Sequence, residues 1–214
     1  MERFSKQAIS QKGQVLPRPF YTREDVVQIS RDLLGKFLVT CIDGVLTSGM
    51  IVETEAYRAS DDKACHAYNN RRTRRTEVMF AEGGKAYVYL CYGIHHLFNV
   101  VTGPQENAQA VLIRAIQAAD NIPVMLERRG RNRLSPQLSA GPGVLSKALG
   151  ITTSLSGHSL LSAGKSIWIE DRKVEYSPDQ IIAGPRVGID YAEECVHWPW
   201  RFRVKNSEWT SKPK

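Results

Sequence analysis

A chain of 214 residues that is 42% hydrophobic and carries four Trp can bury one sizeable core, which argues against a disordered protein. Lys and Arg outnumber Asp and Glu by 29 to 22, a formal net charge of +7 that suits a polyanionic partner without specifying a fold. No apolar run approaches a membrane span. Residues 1–13 carry charges with no apolar stretch behind them, so they read as a tail and the chain as a cytoplasmic protein. Cys41, Cys65, Cys91 and Cys195 form no C-x-x-C pair, which argues against a zinc ribbon or a thioredoxin-like site. Buried, reduced thiols are the plain expectation.

In chain order, Tyr21 to Gly35 predicts a helix, with Thr22 as cap, Asp25 as its acidic N3 partner, and Val26, Ile29, Leu33 and Leu34 as an apolar stripe. Gly35 is a natural stop. Lys36 to Tyr57 predicts two strands joined at Asp43-Gly44, a strong hairpin pair. Arg58 to Glu82 is polar and aperiodic, the mark of a long functional loop with short helical turns at most. Strands are expected over Lys85–Cys91, Phe98–Val101 and Ala110–Ile116. A helix is expected over Asp120–Arg129, with Pro123 in its first turn, and another over Pro142–Leu149, ended by Gly150. Ser166–Glu170, Pro185–Ile189 and Arg201–Val204 supply late strand signals. The sum is one mixed α/β domain with a central antiparallel or mixed sheet.

Several residues suggest chemistry. In Val52–Tyr57 an extended backbone sends Glu53, Glu55 and Tyr57 to one face. Two carboxylates there could line a solvent-facing edge, or one could sit in a cleft beside a reactive water. Arg114 interrupts an apolar strand and needs an exit to solvent, a paired carboxylate or a phosphate. Tyr87, Tyr89 and Cys91 share one strand face. Gly93 permits an abrupt turn that could leave Tyr92 at a protruding tip, a geometry useful for unstacking a base. Arg71, Arg72, Arg74 and Arg75, then Arg128, Arg129, Arg131 and Arg133, could track a phosphate backbone or simply solvate loops. Cys91, His95, His96 and His66 match no metal-ligand spacing.

The ordered set GMIVETEAY, His66, KAYVYLCYG, Asn99, AVLIRA, SAGPGVLSKALGI and PRVGI resembles the alkyladenine (methylpurine, 3-methyladenine) DNA glycosylase family, in a bacterial form, over roughly Val15 to Val204. The resemblance implies an α+β fold: a single compact domain over 15–206 with a curved sheet and a protruding β-hairpin, not a helix-hairpin-helix module, between tails at 1–14 and 207–214. It implies monofunctional hydrolysis of N-glycosidic bonds of alkylated or deaminated purines in double-stranded DNA, with no metal or organic cofactor, by a monomer at the nucleoid. By the same resemblance Glu55 is the catalytic carboxylate and Arg114 contacts its water and the DNA backbone. Tyr57, His66 and Tyr89 enclose the flipped base, and Asn99 discriminates against guanine. Tyr92 is the intercalating wedge, Ile94 stands beside it, and Lys147 contacts a phosphate. Ile94 and His95-His96 depart from the family pattern, which weakens inference about the wedge's surroundings. A damage-binding protein without useful catalysis is the alternative reading.

Overall fold

A computed structural model describes residues 13–211. Two short helices lead in, α1 (Arg18–Tyr21) and α2 (Val26–Asp32), rather than one helix from Tyr21 to Gly35. The break has a local cause. Asp25 is the N-cap of α2, not an N3 partner, and its side chain accepts from the Gln28 N–H. Gly35 then leaves the helical turn with φ +84, where an L side chain would be strained.

The strands are β1 (Gln14–Val15), β2 (Phe37–Ile42), β3 (Val45–Arg58), β4 (Lys85–Cys91), β5 (His95–Val101), β6 (Gln109–Asp120), β7 (Ile167–Asp171), β8 (Ile181–Gly184) and β9 (Arg201–Val204). They form a 9-stranded sheet whose main path runs β1-β7-β2-β3-β6-β5-β4, with β9 bridging β3 and β8. Every pairing is antiparallel, which decides between the antiparallel and mixed expectations. The β2–β3 hairpin turns at Asp43 and Gly44, both at positive φ, as a two-residue loop of this hand requires. Helices α3 (Ile122–Arg129) and α4 (Pro142–Leu149) follow, each with a proline in its first turn and a left-handed glycine at its end. Tyr68–Asn70 and Glu77–Phe80 are single 3-10 turns in the long Arg-rich segment.

One face of the sheet carries the main core, where Ile29 of α2, Leu33 at its C-cap and Leu145 and Leu149 of α4 meet Ile51, Phe98, Ile113 and Phe202. Pro185–Ile189, expected as a strand, is instead a loop after β8. Pro185 has no N–H to give a ladder, and Gly188 lies at φ +76. The C-terminal stretch also departs from expectation. Trp209 packs against the core and Ser211 is buried, because a buried carboxylate in β3 holds it there. The expected N-terminal tail lies outside the described residues except for Gly13 and Gln14, and Gln14 already pairs with Asp171 in the sheet. All four cysteines are free, Cys65 and Cys195 buried and the other two half-buried. No described helix is long and apolar enough to cross a membrane.

Candidate active site

The longest strand, β3, is where backbone geometry sets up chemistry. Its register against β6 slips three times, once at Ser48–Gly49 and twice around Glu53. Ile51 faces Ile116 while Glu53 faces Ala115, so Val52 is an extra residue; Glu53 faces Ala115 while Thr54 faces Ile113, so Arg114 is an extra residue on β6. Such bulges re-aim side chains. Here they bring Arg114 onto the carboxylates of β3, whereas Thr54 turns to the opposite side and bonds the Ser30 carbonyl of α2.

The period-two expectation for β3 therefore holds in its geometry: Glu53 and Glu55 both reach Arg114, and Tyr57 reaches Glu55. The solvent-edge alternative does not hold, since Glu53 and Glu55 are fully enclosed. Two buried carboxylates are costly unless paired and hydrogen-bonded. Arg114 and Arg201, themselves nearly buried, balance them charge for charge. Burial opposes the charge on Arg114, but Glu55 and Glu53 outweigh it and raise its pKa. Glu55 accepts from Tyr57 Oη at 2.8 Å, from the Val187 N–H at 2.8 Å and from Arg114 Nη1 at 3.3 Å. An ionised carboxylate offers about four acceptor positions, so roughly one remains for a water. The tyrosine stays a phenol, because burial and then the Glu55 charge push its pKa well up.

Beside this cluster opens a cleft of about 760 Å³. Tyr57, His66, Tyr89, Asn99, Leu112 and the 184–191 loop line it. His66 and Tyr89 meet edge to face at 4.7 Å. The imidazole tautomer follows from its partners. Arg75 can only donate, so His66 Nε2 accepts from it at 3.2 Å, and the Nδ1–H then donates to Tyr87 Oη at 2.8 Å. Burial, with Arg75 adding to it, pushes the His66 pKa down to about 4, leaving a neutral ring at neutral pH. Asn99 turns its amide donor back to the Tyr87 and Leu97 carbonyls, which leaves its oxygen as the group available to a ligand.

At the cleft mouth, β4 and β5 are joined by a three-residue turn, Tyr92 to Ile94. Tyr92 lies at φ 51 and Gly93 at φ 72, and the Ile94 N–H donates to the Cys91 carbonyl. Positive φ is strained for a bulky residue, so this Tyr is held where local preference would place Asn. Tyr92 is 90% exposed and Ile94 72% exposed, an apolar tip standing in solvent. Just behind its tip the hairpin leans on α4. A Cβ on Gly143 would lie 2.9 Å from His95 Cγ, so glycine is what permits the approach. Lys147, one turn beyond Gly143 on the same flank of α4, is exposed.

The chain matches the family model described as methylpurine-DNA glycosylase (MPG) over residues 19–208. It is 47% identical over 204 residues to a protein of Bacillus cytotoxicus, covering 92% of this chain and 98% of that one. It is 48% identical over 197 residues to one of Chlamydia felis, covering 91% and 99%. Both relatives are provisionally named 3-methyladenine DNA glycosylases. The chain belongs to the methylpurine-DNA glycosylase family. It is a DNA glycosylase, a hydrolase of N-glycosyl bonds, and DNA is its binding partner.

Within this glycosylase, Arg114, Tyr57, His66, Tyr89, Asn99 and Tyr92 line one cleft, Glu55 is bonded to two of them from behind, Ile94 stands beside Tyr92 at the hairpin tip, and Lys147 lies off to the side. Several contributors were not singled out from sequence. Arg186 forms a two-pronged pair with Asp62 at 2.5 and 2.7 Å and lies 4.7 Å over the Tyr57 ring, fixing the wall from behind. Val187 gives a backbone N–H, which no side-chain pattern announces. Glu53 was seen only as a neighbour of Glu55. The two arginine clusters are partly consumed internally: Arg72 binds Glu77 and Glu106, while Arg128 and Arg129 bind the Ala148 and Leu138 carbonyls. Among the described residues, no group of three or more His, Cys, Asp or Glu is disposed to hold a metal ion.

Proposed function

We propose that the cleft receives a damaged purine nucleotide turned out of double-stranded DNA, and that Glu55 directs a water at its C1′. The observation that carries this is a buried carboxylate held directly behind the cleft wall by Arg114, Tyr57 and the Val187 N–H, three partners that themselves line the cleft. Tyr92, with Ile94 beside it, fills the stack that the nucleotide leaves. Unstacking costs a few kcal/mol and least for a weakly paired base. Tyr57 and Tyr89 stack on the purine at roughly 1–3 kcal/mol per base, a contact that tolerates many purines. Asn99 then tests the base edge with its oxygen, and Lys147 holds a phosphate.

In the reaction, Glu55 takes the water's proton as the C1′–N bond opens, and its charge stabilises the developing oxocarbenium ion. Arg114 orients the carboxylate and water and approaches the sugar-phosphate. A base of this kind contributes on the order of 10²–10⁴-fold. Alkylated purines such as 3-methyladenine carry positive charge and leave readily; a neutral His66 does not repel them. The products are a free base and an abasic site. The enzyme acts as a cytoplasmic, nucleoid-associated monomer.

The test is single-turnover base release from duplexes containing 3-methyladenine, 7-methylguanine, hypoxanthine or ethenoadenine. Glu55→Gln is expected to bind the lesion duplex within a few-fold of wild type while losing nearly all release. Excision at the wild-type rate by that variant would remove Glu55 from the mechanism.

A further inference from the structure

Glu53 is enclosed as completely as Glu55 but bonds neither Tyr57 nor the 184–191 loop. Its Oε1 accepts from Arg114 Nε at 2.9 Å, Arg201 Nε at 2.7 Å and Ser211 Oγ at 2.8 Å; its Oε2 accepts the Ser211 N–H at 2.6 Å. Arg201 Nη2 in turn donates to the Ser211 carbonyl at 3.1 Å, and Arg114 Nη2 to the Ser211 hydroxyl at 3.3 Å. Every nitrogen of Arg114 is thus allotted: Nε to Glu53, Nη2 to Ser211, and Nη1 alone to Glu55.

This allotment has a chemical consequence. A guanidinium between two carboxylates can close as a two-pronged fork on either one. With Nε and Nη2 held from behind, only Nη1 reaches Glu55, by the longer contact of 3.3 Å. Released, Arg114 could fork onto Glu55, fill the acceptor position left for water, and neutralise the charge wanted at C1′. We propose that Glu53 and Ser211 are positioning residues that hold Arg114 in a one-pronged contact with Glu55, making the C-terminal segment 207–211 part of the active site. The inference rests on the reading of Glu55 and Arg114 as the reacting pair.

The decisive measurement is single-turnover excision at saturating enzyme, with rate constant, reaction amplitude and DNA affinity determined separately for the full-length variants. Glu53→Gln removes the charge and sets an amide donor against donors; its rate constant is expected to fall by on the order of 10²-fold, as for a misplaced catalytic group. Ser211→Ala is expected to fall by about tenfold, the worth of a hydrogen bond to a charged group, and Ser211→Thr, with both donors, to recover most of that loss. The double variant is expected to be little slower than Glu53→Gln, because both residues act through one guanidinium. Amplitude and affinity should stay near wild type in all four. A wild-type rate constant with reduced amplitude would mean that the cluster only supports folding, and would overturn the proposal. So would unchanged kinetics, or a loss confined to affinity. If Glu53→Gln does not fold, the Ser211 pair decides alone. An active Glu55→Gln would instead strike the underlying reading, a separate result.

Discussion

The interior of the β3–β6 pair and the tip of the β4–β5 hairpin hold charge and apolar surface in opposite ways. Between β3 and β6, two carboxylates and an arginine lie where water is excluded, each fixed by several partners. At the tip, two large apolar side chains stand in water with almost nothing beside them. Each arrangement is unfavourable for a protein that only needs to fold. On the proposed mechanism they divide the labour: the interior pre-orients the groups for a proton transfer, and the tip is left free to enter a partner's stack. The contrast teaches that stability and function should separate cleanly by region.

That separation can be broken by mutation, and the largest effect is expected at Arg114. Arg114→Met leaves two buried carboxylates sharing one arginine, and breaking a buried pair costs about 3–5 kcal/mol. Denaturant melts should report that loss, together with abolished excision. Asp62→Asn tests the wall behind the cleft, since it strips the buried Arg186 of its charge partner; a comparable loss of stability is expected, with weakened base binding through Tyr57. A variant as stable as wild type at either position would erase the claim that the interior is held by paired charge.

Tyr92→Ala sharpens the same contrast from the other side. Its stability should change by no more than about 0.5 kcal/mol, being exposed. Flipping, read by a fluorescent base analogue, should weaken markedly. A drop in melting midpoint without loss of flipping would reverse the assignment.

His66 lies between the two regimes. Its folded pKa is pushed down to about 4 from an ordinary 6.5, so the unfolded chain takes up this proton more readily. Its contribution is therefore fully present above pH 6.5 and is lost as pH falls towards 4, a difference on the order of 2 kcal/mol after allowing for partial exposure. Urea denaturation from pH 7 to 4 should show a wild-type slope that His66→Asn lacks. The smallest effect belongs to Lys147→Ala: affinity should fall a few-fold on every duplex, and the salt dependence should drop by about one counterion.

Most elements were legible in the chain. The Asp43-Gly44 turn, the strand at Lys85–Cys91 and the helix at Pro142–Leu149 follow from turn chemistry and periodicity, which are local. The errors have tertiary causes. Asp25 caps a shorter helix because the chain bends ahead of it. Pro185–Ile189 has strand-like composition, yet its Val187 N–H goes to Glu55 instead of a ladder. Residues 207–211 look like a polar end, but Ser211 is drawn in by a carboxylate more than 150 positions away.

By itself, then, the sequence determined the hairpins, the faces of the strands and the family motifs. It also determined that Glu55, Tyr57 and their neighbours on β3 project together, since that needs only the two-residue period of a strand. Which partners those side chains meet was decided by the tertiary structure. Two one-residue bulges swing Arg114 onto Glu53 and Glu55, and a loop, a distant strand and the chain's end supply the remaining contacts. Burial makes those contacts obligatory: a charge removed from water must find a partner, and the partners come from wherever the fold brings them.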